Sequence, residues 1–301
     1  MAEMMTYICP KCGHELQIPA ELDSFSCLYC GERLTREALC APAPAEETAG
    51  ARSEYYDHAV ARLGWCITNF HGYQKKILRD VFFDAFNTYE TACAPVVQEL
   101  QRGIDPAQQT AQLANAATVM LDELAAGWRN KSDMDDEKII LAIFFVPMLR
   151  KCKLPISEEF AAALQKLWVE RYPKSPFYLG DYESISGGFR KKFLGLCFIT
   201  TAVCQELGKP DDCAELTAFR AFRDGYLAAQ PDGPALIAEY YNIAPGIVTC
   251  INTCSDRHAS YARLREDYLA PCYEDLLAGR NESCKARYVQ MVRDLEREYL
   301  S

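Results

Sequence analysis

The sequence predicts a mainly α-helical protein: a small N-terminal zinc ribbon of short β-strands, tethered to a body of about nine to ten helices. Two Cys-x-x-Cys pairs within the first thirty residues point to the ribbon, and the Ala/Pro run after them points to the tether. From Ser53 onward, apolar residues recur at the spacing of helix faces, and no long alternating stretch suggests a sheet. The expected organisation is a ribbon over 1–36, a linker over 37–52, an N-terminal helical half over 53–172 and a C-terminal half over 173–301.

Cys9-Pro10-Lys11-Cys12 and Cys27-Leu28-Tyr29-Cys30 are separated by fourteen residues, and each pair is followed by glycine, Gly13 or Gly31. Such pairs are the ligand set of a closed tetrahedral zinc site. Two residues between thiolates let both sulfurs meet one ion from a tight turn, and the glycine lets nearby N–H groups reach the sulfurs. Glu15-Leu16-Gln17-Ile18 alternates as a short strand does. So few residues cannot bury a core that outweighs chain entropy, so metal binding and folding are one event here. Four thiolates leave no position for water, which makes the zinc structural and His14 a surface residue. From Met1 to Cys40, three basic residues (Lys11, Arg33, Arg36) face six acidic ones (Glu3, Glu15, Glu21, Asp23, Glu32, Glu37). Phosphate binding needs the reverse balance, so the ribbon is expected to face protein or to be purely structural. Residues 41–50 alternate Ala and Pro before two glutamates and read as an extended tether.

Ser53 is the expected cap of a helix to His71. A second helix runs from Lys75 to Arg102, disturbed by Pro95 and closed by Gly103. Asp105-Pro106 opens a helix to Trp128. Ser132 or Asp133 opens the next, to Lys151, with acidic residues in its first turn. Ser157 opens one that ends before Pro173. Prolines, aromatics and glycines over 173–188 predict a structured loop. Helices are then expected over 189–207, 212–229, 234–254, 256–278 with an interruption near Pro271, and 282–300 capped by Asn281.

A net charge of −10 argues against a nucleic-acid partner, whose binder shows a basic surplus. Arg190-Lys191-Lys192 is the one compact basic run. Fifteen cysteines in a long helical chain suit reduced thiols in a cytoplasm better than a disulfide scaffold. The N-terminus lacks the regions of a signal peptide, and the apolar run Ile139 to Leu149 is too short to span a bilayer. Phosphate loops, dinucleotide fingerprints, HExxH and GxSxG are absent from the sequence.

Cys197-Phe198-Ile199-Thr200-Thr201-Ala202 is followed by Phe222-Arg223-Asp224, Leu227, Gly233 and Tyr240-Tyr241-Asn242-Ile243-Ala244-Pro245. In order and spacing this stretch, over residues 187–255, resembles the bacterial CFI-box C-terminal domain. With the ribbon in front, and with Gly187-Gly188-Phe189-Arg190 and Lys209-Pro210-Asp211-Asp212-Cys213, the whole chain resembles a family of Firmicutes proteins. That resemblance implies no activity, substrate or catalytic residues.

Read by itself, Cys197 lies two turns into the expected helix with apolar neighbours, which raise a thiol's pKa; a nucleophile needs a helix N-terminus or a cation. A buried packing role is expected. Arg223 and Asp224 point about 100° apart on an α-helix and should not pair. Pro245 frees the carbonyl of Tyr241, which with the hydroxyls of Tyr240 and Tyr241 offers acceptors to Arg223. This predicts a polar brace between the 212–229 and 234–254 helices, with Thr201 a candidate to join it; a ligand pocket at the kink is the alternative. Cys250, Cys254 and His258 recur every four residues and, with Cys197 or Cys204, are candidates for a second metal site. A stripe of small residues is favoured, because Ser255-Asp256 breaks the helix. Phe82, Phe83, Phe86, Phe144 and Phe145 read as core.

With no assembled catalytic constellation, the chain reads as a cytoplasmic zinc protein that binds a protein partner or a regulatory ligand. The alternative is an enzyme with its site in the C-terminal half. There Cys197 is nucleophile or ligand, Arg223 an anion clamp, Asp224 or Glu239 the acid or base, and Tyr240 or Tyr241 a donor.

Overall fold

The computed structural model describes residues 4–9, 14–19, 22, 24–35, 49–190 and 197–301. Two antiparallel hairpins form the ribbon: β1 (Met4–Ile8) pairs with β2 (Glu15–Pro19), and β3 (Ser24–Ser26) with β4 (Arg33–Thr35). Strand alternation turns Leu16, Ile18 and Leu34 inward, where they join Cys9 and Cys27 in a small core of their own. The expected tether lies outside the described residues up to residue 48.

Among the described residues the body is built from eleven helices. They are α1 (Ala49–Leu63), α2 (Phe82–Gly103), α3 (Gln109–Gly127), α4 (131–151), α5 (Ser157–Arg171) and α6 (Tyr182–Arg190), then α7 (Phe198–Glu206), α8 (214–229), α9 (Gly233–Cys254), α10 (257–277) and α11 (Asn281–Tyr299). The mainly helical fold is as expected, and several boundaries move. Helix α1 starts four residues before Ser53, whose hydroxyl instead reaches Asp57 one turn on. Residues 65–81 hold only short turns, one entered through Gly72 at φ +88°. Asn130, rather than Ser132 or Asp133, caps α4, accepting from the N–H groups of those two residues at 2.8 and 3.2 Å. The loop expected over 173–188 is helical from Tyr182. Asn281 is the first residue of α11, not its cap.

Three helices widen into a π turn: Leu141–Phe145 in α4, Phe222–Tyr226 in α8 and Arg265–Leu269 in α10. Pro147 and Pro271 follow the first and third. A proline's ring crowds the carbonyl four residues back, and a wider turn there relieves it. The second π turn has no such proline, and it carries Arg223.

One continuous cluster of buried residues runs from Tyr56 to Leu300, so the two helical halves share a core. Phe82, Phe86, Phe144 and Phe145 are fully buried in it, with Phe83 packed at its edge. Helix α9 joins the halves. A Cβ at Gly246 would sit 1.9 Å from the carbonyl oxygen of Ile77. Beside it, Asn242 accepts from Arg79 N–H on its carbonyl at 3.0 Å and from Asp80 N–H on its Oδ1 at 3.1 Å. Among the described residues, no helix is long and apolar enough to cross a membrane.

Candidate functional site

In the ribbon, the second Cys-x-x-Cys pair is folded by Gly31 at φ +72°, whose N–H donates to the carbonyl of Cys27 at 2.8 Å. The N–H of Cys27 donates to Glu32 at 2.8 Å, and that of Cys9 to His14 at 2.9 Å. These turns aim the thiols at one point. The Sγ atoms of Cys9 and Cys30 are 3.7 Å apart, and those of Cys9, Cys27 and Cys30 all lie within 4.8 Å of one another. Zinc–thiolate bonds of about 2.3 Å meeting at a tetrahedral angle set sulfurs about 3.8 Å apart. The three cysteines therefore fit a single metal ion. Cys12, the fourth expected ligand, lies outside the described residues. His14 stacks on Tyr29 with ring centroids 4.2 Å apart.

In the body, α8, α9 and α11 enclose a cavity of about 60 Å³ with Cys197 on its wall. Cys197 is not two turns into a helix as the sequence suggested. At φ −107°, ψ 82° it holds the N-cap position of α7. Its Sγ accepts from Arg223 Nη1 at 3.6 Å. It thus has both a helix N-terminus and a cation, but burial is the larger influence and keeps the thiol above its ordinary pKa, with Arg223 opposing.

Arg223 is 8% exposed and gripped by Asp224, Nε to Oδ1 at 2.7 Å and Nη2 to Oδ2 at 2.8 Å. The expectation that these neighbours diverge is not met: both sit in the π turn, and the long Arg223 side chain spans the angle between them to reach the carboxylate. The guanidinium holds the Asp224 carboxyl below the usual carboxylate range. Toward the expected brace between α8 and α9, Tyr241 lies close enough for the guanidinium's charge to oppose the rise that burial gives its hydroxyl. Thr201 does not join it; its Oγ1 is buried without a hydrogen-bond partner. Tyr240 accepts from the N–H of Ile199 at 3.0 Å, and Thr200 Oγ1 lies 3.3 Å from the hydroxyl of Tyr288. Glu239 is clamped by Arg293 through two contacts of 2.6 Å.

No family model, curated protein or solved structure matches the chain.

Cys197, Arg223, Glu239 and Tyr240 thus share one cavity wall, while Asp224 holds Arg223 in place. The cavity is not at the proline kink: Pro245 and Gly246 are buried, and Gly246 lies against Ile77. Tyr288 and Arg293 complete the wall from α11, a contribution the sequence reading missed. They lie in an ordinary amphipathic helix, and nothing local distinguishes them from their neighbours. Cys250, Cys254 and His258 are not brought together. Cys250 faces the carbonyl of Tyr299 at 3.8 Å, Ser255 breaks the helix at φ −142°, ψ 168°, and His258 in α10 pairs with Glu206 at the end of α7.

Proposed function

We propose that the chain acts by binding: a zinc-stapled ribbon beside a helical body whose C-terminal cavity holds a small regulatory ligand, in a reducing cytoplasm. Zinc is the ion best suited to a cluster of cysteine thiolates at tetrahedral separation. One observation carries the binding reading. The polar groups on the cavity wall are already engaged with one another, Arg223 by Asp224, Glu239 by Arg293 and the Tyr240 hydroxyl by the N–H of Ile199. Groups held this way make a rigid rim around an apolar hollow and are poorly placed to exchange protons with a substrate. A space of about 60 Å³ suits an aliphatic group of a few carbons. On the ribbon, the exposed side chains of Leu28 and Tyr29 favour contact with a protein partner. The motif order around Cys197 supports kinship of the C-terminal half with the CFI-box domain. Isobutanol should raise the melting temperature of the full chain and lose that effect in Val289→Phe, which fills the cavity. An equal effect in both proteins, or steady turnover in an activity screen, overturns the reading.

An enzyme is the second reading, favoured by the placement of Cys197 at a helix N-terminus 3.6 Å from Arg223. Iodoacetamide at neutral pH separates the two. Protection of Cys197 until denaturation is expected for a binding protein, whereas fast selective labelling of Cys197 supports catalysis.

A further inference from the structure

We propose that Cys204, Cys213 and Glu215 form a second metal site, for a borderline divalent cation such as zinc, opening on a cavity between α7, α8 and α10. The site does not depend on the ligand cavity described above. Its three ligands come from a short stretch of chain that the backbone folds back on itself. Gly208 at φ +68° ends α7, Lys209 N–H donates to the carbonyl of Cys204 at 2.9 Å, and Cys213 N–H donates to that of Pro210 at 3.1 Å. Cys204 is thereby brought opposite Cys213, the residue preceding α8, and Glu215 in the first turn of that helix. The two sulfurs are 3.8 Å apart, the separation of thiolates sharing a tetrahedral ion with bonds of about 2.3 Å. A carboxylate oxygen of Glu215 lies within 4.8 Å of both. Apart from the ribbon's own cluster, no other group of three such ligands occurs among the described residues.

Other thiol pairs in the body lack this setting. Cys66 with Cys93 and Cys272 with Cys284 are fully buried, with no carboxylate completing a cluster. Cys204 and Glu215 instead line a cavity of about 280 Å³, together with Lys209, Arg265 and Tyr273. Three protein ligands leave a fourth position for water or an exogenous ligand, the arrangement of open rather than structural sites. Binding converts two thiols to thiolates and releases their two protons to solvent. The ion, two thiolates and one carboxylate then carry a net single negative charge. Lys209, whose ammonium already contacts Glu215, balances it.

Native mass spectrometry of the full chain, purified under reductant and titrated with Zn²⁺, tests the site. Wild type should hold one more ion than Cys213→Ser. Glu215→Gln, which keeps both thiols, should loosen that ion at least tenfold with helical circular dichroism unchanged. Equal ion counts in wild type and Cys213→Ser, an unchanged affinity in Glu215→Gln, or a Cys204–Cys213 disulfide in reductant-purified protein each overturn it.

Discussion

A guanidinium that is 8% exposed must find acceptors, and Arg223 finds them in Asp224 and Cys197. The Asp224 pair is bidentate, but its carboxylate is 65% exposed, so Asp224→Asn should destabilise the protein by only about 0.5–1 kcal/mol in urea titration. The same change removes a negative charge that holds the Cys197 thiol up and frees Arg223 to hold it down, so alkylation of Cys197 should quicken. Unchanged stability together with unchanged alkylation would mean that the clamp carries no energy. Asp136 is the opposite case. Burial first, then the charges of Asp135 and Asp133, push its carboxyl above the usual aspartate range. The folded state then binds this proton more tightly than the unfolded chain. The charged aspartate therefore costs stability at neutral pH; the cost fades as the pH falls through the raised folded-state pKa and is gone below the ordinary aspartate pKa. Asp136→Asn should gain about 0.5 kcal/mol at pH 7, modest because the site is partly solvated, and nothing at about pH 3. A gain of equal size at both pH values would assign the effect to something other than charge.

Helix α9 is positioned by what it lacks. With the carbonyl of Ile77 only 1.9 Å from where a Cβ would stand, Gly246→Ala has to move backbone rather than a flexible side chain. A loss of about 3 kcal/mol is expected in thermal or urea unfolding. Gly187→Ala in α6 meets nothing within 4 Å and should instead gain about 0.5–1 kcal/mol, because glycine is a poor helix residue. Equal effects at the two sites would refute the packing account. The contrast also shows what could be read from the sequence. Caps and apolar periodicity found most helices, because those signals are local. They failed over 173–188, where Gly187 and Gly188 look like loop residues. There the stacking of Phe189 on Phe82, at 4.3 Å, belongs to an interface no local window contains. The π turn at Arg223 was equally hidden, since no proline marks it. The clustering of Cys9, Cys27 and Cys30 was legible because thiol spacing is itself the signal. The cavity was not, because Tyr288 and Arg293 reach it from the last helix.

At the scale of the whole chain, two sources of folding free energy stand apart. Among the described residues the ribbon's own cluster of buried residues is Cys9, Leu16, Ile18, Cys27 and Leu34, and a unit of so few residues does not by its core alone outweigh the entropy of ordering two hairpins. The body buries one cluster reaching from Tyr56 to Leu300 and needs no ion for it. Withdrawing an ion from the ribbon's cysteines should therefore unfold that unit alone, and emptying the open site proposed in the body should add only a small shift. Chelation, or Cys27→Ser, should abolish the amide resonances of both hairpins, while helical circular dichroism stays and the main thermal transition moves by a few degrees at most. Lowering the pH should have the same selective effect, because protons compete with the ion for the thiolates. If the helical signal is lost in step with the hairpin resonances as metal is withdrawn, the body draws its stability from the ion as well, and the division between the two cores is wrong.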